Sequence, residues 1–302
     1  MISIKQLQYA LAVAETLHFK RAAEQCAVSQ SALSTAISEL ESQLGVQIFE
    51  RDNKKVFVTP LGEQFIAKAR EVKAGMDDLY RIANAQKSPL SYPLSVGVIP
   101  TIGPFLLPKV LPEVRQRYPD FPLRLVEDQS HVLVEQVRRG ELDTAILALP
   151  YDTAGLHVFE FWEEDFYIVG HKDVPLLKKS EIDSALLSDE KLLLLKDGHC
   201  LKDHALAACK MANSEAASAL SATSLYTLIQ MVAGKMGVTF VPQMGLDQLA
   251  STSTELRASH LSDPGPHRKI AFVTRLNFSG VSSIELLINV FREKLKAAKQ
   301  KQ

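Results

Sequence analysis

The sequence predicts an α/β protein with a small helical unit at its N-terminus, and three observations lead to this fold class. The chain has 302 residues, more than one hydrophobic core usually organises, so two or three domains are expected. Up to residue 85 apolar residues recur at helical spacing, whereas after Pro93 short apolar runs alternate with helical stretches. Prolines in residues 86–93 disfavour helix and mark a linker between the two parts.

Composition and motif content exclude several classes of protein. The chain has neither a signal-peptide pattern nor a run of about 18 apolar residues, so we expect a cytoplasmic protein without a membrane partner. The formal net charge of −1 gives no sign of nucleic-acid binding, so affinity for DNA must come from local placement of charge. No phosphate loop, HExxH motif or nucleophile elbow is present, and we expect neither an enzyme nor a bound cofactor.

Three helices are predicted within the first 44 residues. The first runs from Ile4 to about Thr16, and the second runs from Phe19 to Cys26. Ser29 then stands where an N-cap hydroxyl is favoured, and a third helix follows to about Leu44. Its outward side carries short hydrogen-bonding side chains, which suit a DNA major groove. The candidate DNA contacts on it are Ser29, Gln30, Ser31, Ser34, Thr35 and Ser38.

A basic hairpin is predicted after the third helix. The segment VQIFERDNKKVFVTP contains two short β-rich runs around Asp52 and Asn53, the pattern of a wing. Arg51, Lys54 and Lys55 project from it as candidate phosphate contacts. Residues 1–61 are therefore predicted to be a winged helix-turn-helix domain. Taken alone, the helix pattern favours an ordinary three-helix packing unit with solvated charges.

A long helix is predicted from Leu61, within a linker segment spanning residues 62–92. Apolar residues recur along it at alternating spacings of four and three, which is the pattern of a coiled-coil seam. The seam consists of Phe65, Ala69, Val72, Met76, Leu79 and Ala83. Such a stripe favours a partner helix, so we expect dimerisation through residues 62–86. Packing against the chain's own domain is the alternative.

Residues 93–302 are predicted to form α/β structure with largely parallel sheets. The apolar runs that read as strands are 94–98, 123–127, 144–149, 166–170, 192–195, 238–241 and 270–273. In open α/β sheets ligands bind at the carboxyl ends of the strands. The polar residues that follow these runs, and that we expect to converge on one crevice, are Thr101, Ser130, His131, His199, Cys200 and Arg275.

Two of the three cysteines lie nine residues apart in GHCLKDHALAAC, Gly198 to Cys209. If Leu201 to Ala208 are helical, the two sulfurs are separated by about 13 Å of rise and roughly 180° of rotation. A disulfide needs Cα atoms within about 7 Å, so oxidation would have to unwind the segment. By themselves the thiols fit a transient regulatory pair, a metal site or two buried thiols.

Reaction with peroxide requires a thiolate, so the pKa of Cys200 is expected to be lowered. His199, Arg275 and the helix amides after Cys200 are the candidates that would lower it. Hydroxyl groups such as those of Thr101 and Ser130 would hold the peroxide by hydrogen bonds. The first oxidation product would be a sulfenic acid, which a second cysteine can resolve.

The segment FKRAAEQCAVSQSALSTAISELESQLGVQIFER, followed by VTPLGE, resembles the DNA-binding domain of the LysR-type transcriptional regulators. One departure is Ser31, where the family usually has proline. The resemblance implies a two-lobed, periplasmic-binding-protein-like effector domain in residues 93–302. Lobe one is expected to comprise residues 93–164 plus 268–302, and lobe two residues 165–267.

Three further segments, GHCLKDHALAAC, GVIPTIGPFLLP and RRGELDTAILALP, resemble the peroxide sensors within that family. The resemblance implies a regulator of antioxidant genes that binds promoter DNA as a homodimer or homotetramer, with RNA polymerase as a further partner. It implies Cys200 as the peroxidatic residue and Cys209 as the resolving one. The implied peroxide pocket consists of Thr101, Ser130, His199 and Arg275.

The residue at position 204 departs from that resemblance, because the family more often has an uncharged residue where this chain has His204. As an imidazolium His204 would stabilise the Cys200 thiolate. Two other functions remain open. One is regulation by a small organic co-inducer bound between the lobes. The other is regulation by a metal held by Cys200, His204 and Cys209.

Overall fold

A computed structural model describes residues 1–52, 55–85, 90–187, 190–208, 217–250 and 253–299. The chain divides into two compact units. The first unit contains Met1–Ala83 together with Arg139–Glu141, and the second contains Asn84–Arg138 and Leu142–Gln302. Among the described residues, no helix has the length and apolar character that a membrane span requires.

The first unit is a winged helix-turn-helix followed by a long helix, as the sequence predicts. Its elements are α1 (Ile4–Thr16), α2 (Phe19–Gln25), α3 (Gln30–Leu44), β1 (Phe49–Asp52), β2 (Lys55–Val58) and α4 (Pro60–Ala85). Strands β1 and β2 pair antiparallel as the wing. Helix α2 ends one residue earlier than predicted, and Cys26 is its C-cap.

Local signals in the sequence explain where the helices of the first unit begin and end. The Ser3 hydroxyl and Gln6 form a capping box at the start of α1, and the Ser29 hydroxyl accepts a hydrogen bond from the Ala32 amide at the start of α3. Helix α3 ends at Gly45, whose φ of 67° is left-handed. The inward residues of α3, Leu33, Ile37 and Leu40, are fully buried in the core of this unit.

The second unit is of the α/β type and contains a five-stranded sheet, a four-stranded sheet and a two-stranded pair. Its strands are β3 (Leu94–Val98), β4 (Leu123–Glu127), β5 (Thr144–Leu149), β6 (Leu156–Glu164), β7 (Phe166–His171), β8 (Glu181–Ile182), β9 (Leu192–Leu195), β10 (Ala217–Ala222), β11 (Thr239–Pro242), β12 (Leu256–Leu261) and β13 (Arg268–Arg275). Its helices are α5 (Gly103–Arg117), α6 (Ser130–Arg138), α7 (Cys200–Ala208), α8 (Leu225–Ala233), α9 (Leu246–Leu249) and α10 (Val281–Lys299).

Lobe one is a five-stranded sheet in the order β4-β3-β5-β13-β6. Helices cover both of its faces. Val96 and the side chains of α5 and α10 line one apolar cavity, and the neighbouring Gly97 faces Leu133 of α6. Because successive strand residues point to opposite faces, α5 and α10 lie on one side of the sheet and α6 lies on the other.

Lobe two contains the sheet β11-β7-β12-β8 and the parallel pair β9 and β10. A parallel bridge between Leu192 and Val238 joins β9 to the start of β11. Strand β6 of lobe one ends at Glu164, and β13 begins at Arg268 opposite it in register. These two positions therefore mark where the chain crosses between the lobes.

The expectation of largely parallel sheets is wrong, because both sheets are mixed. Strand β3 is parallel to β4 and β5, but β13 is antiparallel to β5 and to β6. In lobe two, β7 is antiparallel to β11 and β12. The reason for the direction of β13 is the crossover. The chain returns from lobe two at the edge where β5 ends, so β13 must run against β5.

Candidate functional site

Three strand ends of the second unit bring the predicted polar residues to one small pocket. Thr101 follows β3, Ser130 begins α6 after β4, and Cys200 begins α7 after β9. The pocket is narrow, and its lining residues are Ile99, Pro100, Thr101, Gln129, Ser130, Gly198, His199 and Cys200. Four of the predicted site residues thus lie together, whereas His131 is exposed on α6.

Cys200 is buried at the N-terminus of α7, with 5% of its surface exposed. Its side chain is hydrogen-bonded to the Ser130 hydroxyl. Burial raises the pKa of the Cys200 thiol, and the Ser130 hydrogen bond, the Arg268 charge and the backbone amide of Cys200 oppose that rise. The sequence predicts a lowered pKa, and this is wrong for the conformation seen here because burial dominates.

The cation nearest the pocket is Arg268, which the sequence analysis missed. Its Nη1 donates to the Thr101 hydroxyl at 3.3 Å, and its Nη2 donates to the Thr101 carbonyl at 3.1 Å. Its Nε donates to Glu164 at 2.7 Å, and both side chains of this ion pair are fully buried. The second carboxylate oxygen of Glu164 accepts from the Met244 amide at 2.8 Å, so the pair also ties lobe two to the crossover.

Arg275 does not reach the pocket, and its predicted convergence is wrong. It stands at the far end of β13, where Thr274 pairs with Thr144, the first residue of β5. Its Nη1 donates to the Leu142 carbonyl, and its guanidinium lies over the Phe278 ring. Because β13 is antiparallel, its first residue and not its last lies at the edge where β3 and β5 end. The sequence did contain one signal for Arg268, namely a charged residue at the start of the last apolar strand.

Two histidines flank Cys200, and both are buried. His199 lines the pocket, and burial lowers its pKa. His204 is 3% exposed, with Nε2 at 2.7 Å from the Pro150 carbonyl and a buried Nδ1 that has no partner. Burial is also the largest cause of its lowered pKa, to which the Arg268 charge adds. Burial therefore favours the neutral imidazole at position 204 in this conformation over the imidazolium that would stabilise the thiolate.

The segment between the two cysteines of the motif is helical, as the sequence predicts. Helix α7 spans Cys200–Ala208. Cys209 lies outside the described residues, and so does Lys54 of the wing. Among the residues that the structure describes, no three His, Cys, Asp or Glu side chains are grouped so as to hold a metal ion.

The outer side of α3 and the wing form a separate polar surface in the first unit. Gln30, Ser31, Thr35 and Ser38 are exposed there, Ser34 is half-buried, and Ser29 caps the helix. The Arg51 guanidinium donates to the Ser34 hydroxyl at 3.1 Å and lies 3.9 Å from the centre of the Phe19 ring. Arg51 is thereby held beside α3, and Lys55 is exposed at the start of β2.

The apolar stripe of α4 divides into two parts. Phe65 and Ala69 are partly or fully buried, and Phe65 packs against the core of the first unit. Further along, Val72 and Leu79 are 49% and 68% exposed. The second half of the stripe therefore leaves large apolar side chains in contact with solvent.

Models of two domain families match the chain. The model for the bacterial regulatory helix-turn-helix protein, lysR family, matches residues 4–63, and the model for the LysR substrate binding domain matches residues 87–296. The chain belongs to the LysR family. Members of this family are DNA-binding transcription regulators and not enzymes.

Two relatives span nearly the whole of this LysR-family chain. The HTH-type transcriptional regulator EstR of Acinetobacter baylyi is 38% identical over 292 residues, covering 96% of each chain. A probable hydrogen peroxide-inducible genes activator of Streptomyces viridosporus is 38% identical over 295 residues, covering 97% of this chain and 95% of its own.

Solved structures of OxyR proteins resemble the whole LysR-family chain. A full-length OxyR variant from Pseudomonas aeruginosa matches with a TM-score of 0.81 and 37% identity, covering 97% of this chain and 98% of its own. A Corynebacterium glutamicum OxyR variant with bound H₂O₂ matches with a TM-score of 0.68 and 33% identity, covering 99% and 94%.

Proposed function

We propose that this chain is a hydrogen-peroxide-responsive transcription regulator of antioxidant genes, switched by a reversible disulfide between Cys200 and Cys209. The observation that carries the proposal is the placement of Cys200 in a small pocket with the hydroxyls of Thr101 and Ser130. The resemblance to OxyR structures and to a peroxide-inducible activator along nearly the full chain supports it.

The chemistry assigned to the pocket has two steps. The Cys200 thiol loses its proton, and the thiolate attacks one peroxide oxygen, so that an S–O bond forms and the O–O bond breaks. The departing hydroxide takes up the proton and leaves as water. The Cys209 sulfur then attacks the Cys200 sulfenic acid, giving a disulfide and a second water.

The residues of the pocket have distinct roles in this proposal. Thr101 and Ser130 hold the peroxide by hydrogen bonds, with His199 beside them on the pocket wall. Arg268 supplies the positive charge that favours the Cys200 thiolate, a role that was predicted for Arg275.

The switch follows from the helix that carries the thiol. Residues 200–208 are helical, and over nine residues a helix separates two Cα atoms by about 13 Å. A disulfide allows no more than about 7 Å, so its formation requires α7 to unwind. Oxidation is thereby converted into a change of backbone conformation in lobe two.

The output of the switch is binding of promoter DNA. The contacts are assigned to Ser29, Gln30, Ser31, Ser34, Thr35 and Ser38 of the α3 surface, and to Arg51, Lys54 and Lys55 of the wing. The exposed stripe of α4 is assigned to a homodimer, which pairs further into a homotetramer. RNA polymerase is the further partner at the promoter, and the site of action is the cytoplasm.

Thiol trapping tests the proposal most directly. After one equivalent of peroxide, we expect the parent protein to lose two free thiols, Cys209→Ser to accumulate a sulfenic acid at Cys200, and Cys200→Ser to remain reduced. Cys26→Ser is the matched control and should respond like the parent, because Cys26 lies in the helix-turn-helix core. Mass spectrometry of alkylated peptides reads out each state.

An intact response in Cys200→Ser would contradict the proposal and favour an organic co-inducer, a reading that the EstR relative leaves open because its name does not mention peroxide. About one bound zinc per subunit, lost together with regulation in a His204 variant, would instead favour a metal sensor. Elemental analysis of the reduced protein distinguishes that case.

A further inference from the structure

His204 is a buried residue of α7, the helix that must unwind for the disulfide to form. It lies one turn after Cys200 on α7, and its Nε2 contacts the Pro150 carbonyl at 2.7 Å. A carbonyl oxygen can only accept, so Nε2 carries the proton and Nδ1 keeps a lone pair. That Nδ1 is buried and has no hydrogen-bond partner.

A second proton on His204 is disfavoured while α7 is folded. It would create a buried N–H donor at Nδ1 without an acceptor, and such a group costs free energy. The charged groups that act on the ring are Arg268 from β13, which opposes the imidazolium, and Asp203 on α7, which favours it. Burial and Arg268 outweigh Asp203 and the Pro150 carbonyl, so the pKa of His204 lies below its ordinary value.

We propose that His204 makes the redox switch sensitive to pH, so that mild acid favours the oxidised, unwound form of the segment that contains Cys200 and Cys209. The inference rests on the proposed function, because it needs α7 to open on oxidation. In the open segment His204 is hydrated, and its imidazole titrates near the ordinary pKa of about 6.5. At mildly acidic pH the oxidised form then binds a proton at His204 that the reduced form does not bind.

The size of the effect follows from proton counting. In a glutathione buffer the two protons released by the protein thiols are taken up by the glutathione that is formed, so the oxidation equilibrium of an ordinary pair does not change with pH. Uptake of a proton by His204 makes oxidation more favourable as the pH falls below about 6.5. The gain is at most tenfold in equilibrium constant per pH unit, or about 30 mV for a two-electron couple.

Equilibration of the full chain in glutathione buffers at about pH 7.5 and about pH 5.5 tests the inference. The matched variant is His204→Gln, whose amide can donate to the Pro150 carbonyl but does not titrate. We expect the oxidation equilibrium constant of the parent to rise on acidification by up to about tenfold more than that of the variant, which retains His199. The disulfide fraction is measured by alkylation and mass spectrometry.

The same pH dependence in parent and variant would overturn the inference and leave the proposed function intact. Absence of a disulfide in both proteins would contradict the proposed function itself. A proton NMR titration of the His204 ring in the parent keeps the inference testable if the variant does not fold. We expect the ring to titrate at a lower pH when the protein is reduced than when it is oxidised. Equal titration in both states would also overturn the inference.

Discussion

At the scale of single residues, the pocket around Cys200 adjoins an ion pair that has no access to water. Arg268 and Glu164 are both fully buried, and they occupy the two positions where the chain crosses between lobes. Removing one member of such a pair leaves the other charge buried and uncompensated, which costs far more than the loss of a surface ion pair. The same guanidinium contacts Thr101 and favours the charged form of Cys200.

Replacing Arg268 with glutamine is therefore expected to lower the free energy of unfolding by about 3–5 kcal/mol, because Glu164 loses its counter-charge. The matched control is Arg275→Gln, since Arg275 is half-buried and donates to one backbone carbonyl, so its loss should cost no more than about 1.5 kcal/mol. Urea unfolding of the full chain compares the two. Equal losses of unfolding free energy in the two variants would contradict the prediction that the buried ion pair of Arg268 contributes more to stability than the contacts of Arg275.

At the scale of secondary-structure elements, α3 and the wing combine two kinds of contact. The exposed side chains of α3 are short and suited to base edges, whereas Arg51 is charged and held beside them by the Ser34 hydroxyl and the Phe19 ring. Base contacts discriminate between sequences, and phosphate contacts act on every sequence. Replacing a base-contacting residue and replacing a phosphate-contacting residue should therefore change DNA binding in different ways.

We expect Arg51→Ala to weaken binding to all DNA sequences and to reduce the salt slope by about 1, because one phosphate contact is lost. Gln30→Ala should relax discrimination at particular bases by about 1–3 kcal/mol and leave the salt slope unchanged. Lys296→Ala, on the exposed side of α10, is the control for loss of a cation elsewhere. Titrations at several salt concentrations against matched and mismatched sites measure both effects, and parent-like behaviour of Arg51→Ala and Gln30→Ala would refute the interface.

At the scale of the whole molecule, the exposed apolar stripe of α4 is the surface through which we expect copies of the chain to assemble. Val72 and Leu79 leave about half or more of their surfaces in solvent, and a coiled-coil partner would bury them. Two copies held in this way would present two α3 surfaces to one stretch of DNA, so assembly and affinity should change together.

Leu79→Asp is expected to lower both the oligomer mass and the affinity for DNA, because a charge in an apolar seam is desolvated without a partner. Gln64→Asp is the matched control, since it places the same carboxylate on α4 at an exposed position outside the stripe. Light scattering measures the oligomer mass, and gel-shift titration measures the affinity for DNA. An unchanged mass for Leu79→Asp would mean that the stripe does not hold the assembly.

The sequence by itself determined the features that depend on local chemistry. Capping residues and apolar spacing predicted the three helices of the first unit, the wing and the long helix almost to the residue. Apolar runs predicted seven strands of the second unit but missed β6, β8, β10 and β12. Helix propensity predicted that residues 200–208 are helical, from which the need to unwind followed. Strand ends also brought Thr101, Ser130, His199 and Cys200 together correctly.

Only the tertiary structure decided which cation reaches the pocket and which protonation states are favoured at Cys200 and His204. Strand direction depends on where the chain crosses between the lobes, and residues more than a hundred positions apart determine this. Charged residues flank the last apolar run at both ends, and only the direction of the strand decides that Arg268 rather than Arg275 lies beside Thr101. The pKa values of Cys200 and His204 likewise depend on burial, which is set by every element packed around them. Desolvation is a property of the assembled core, and a linear pattern of residues does not contain it.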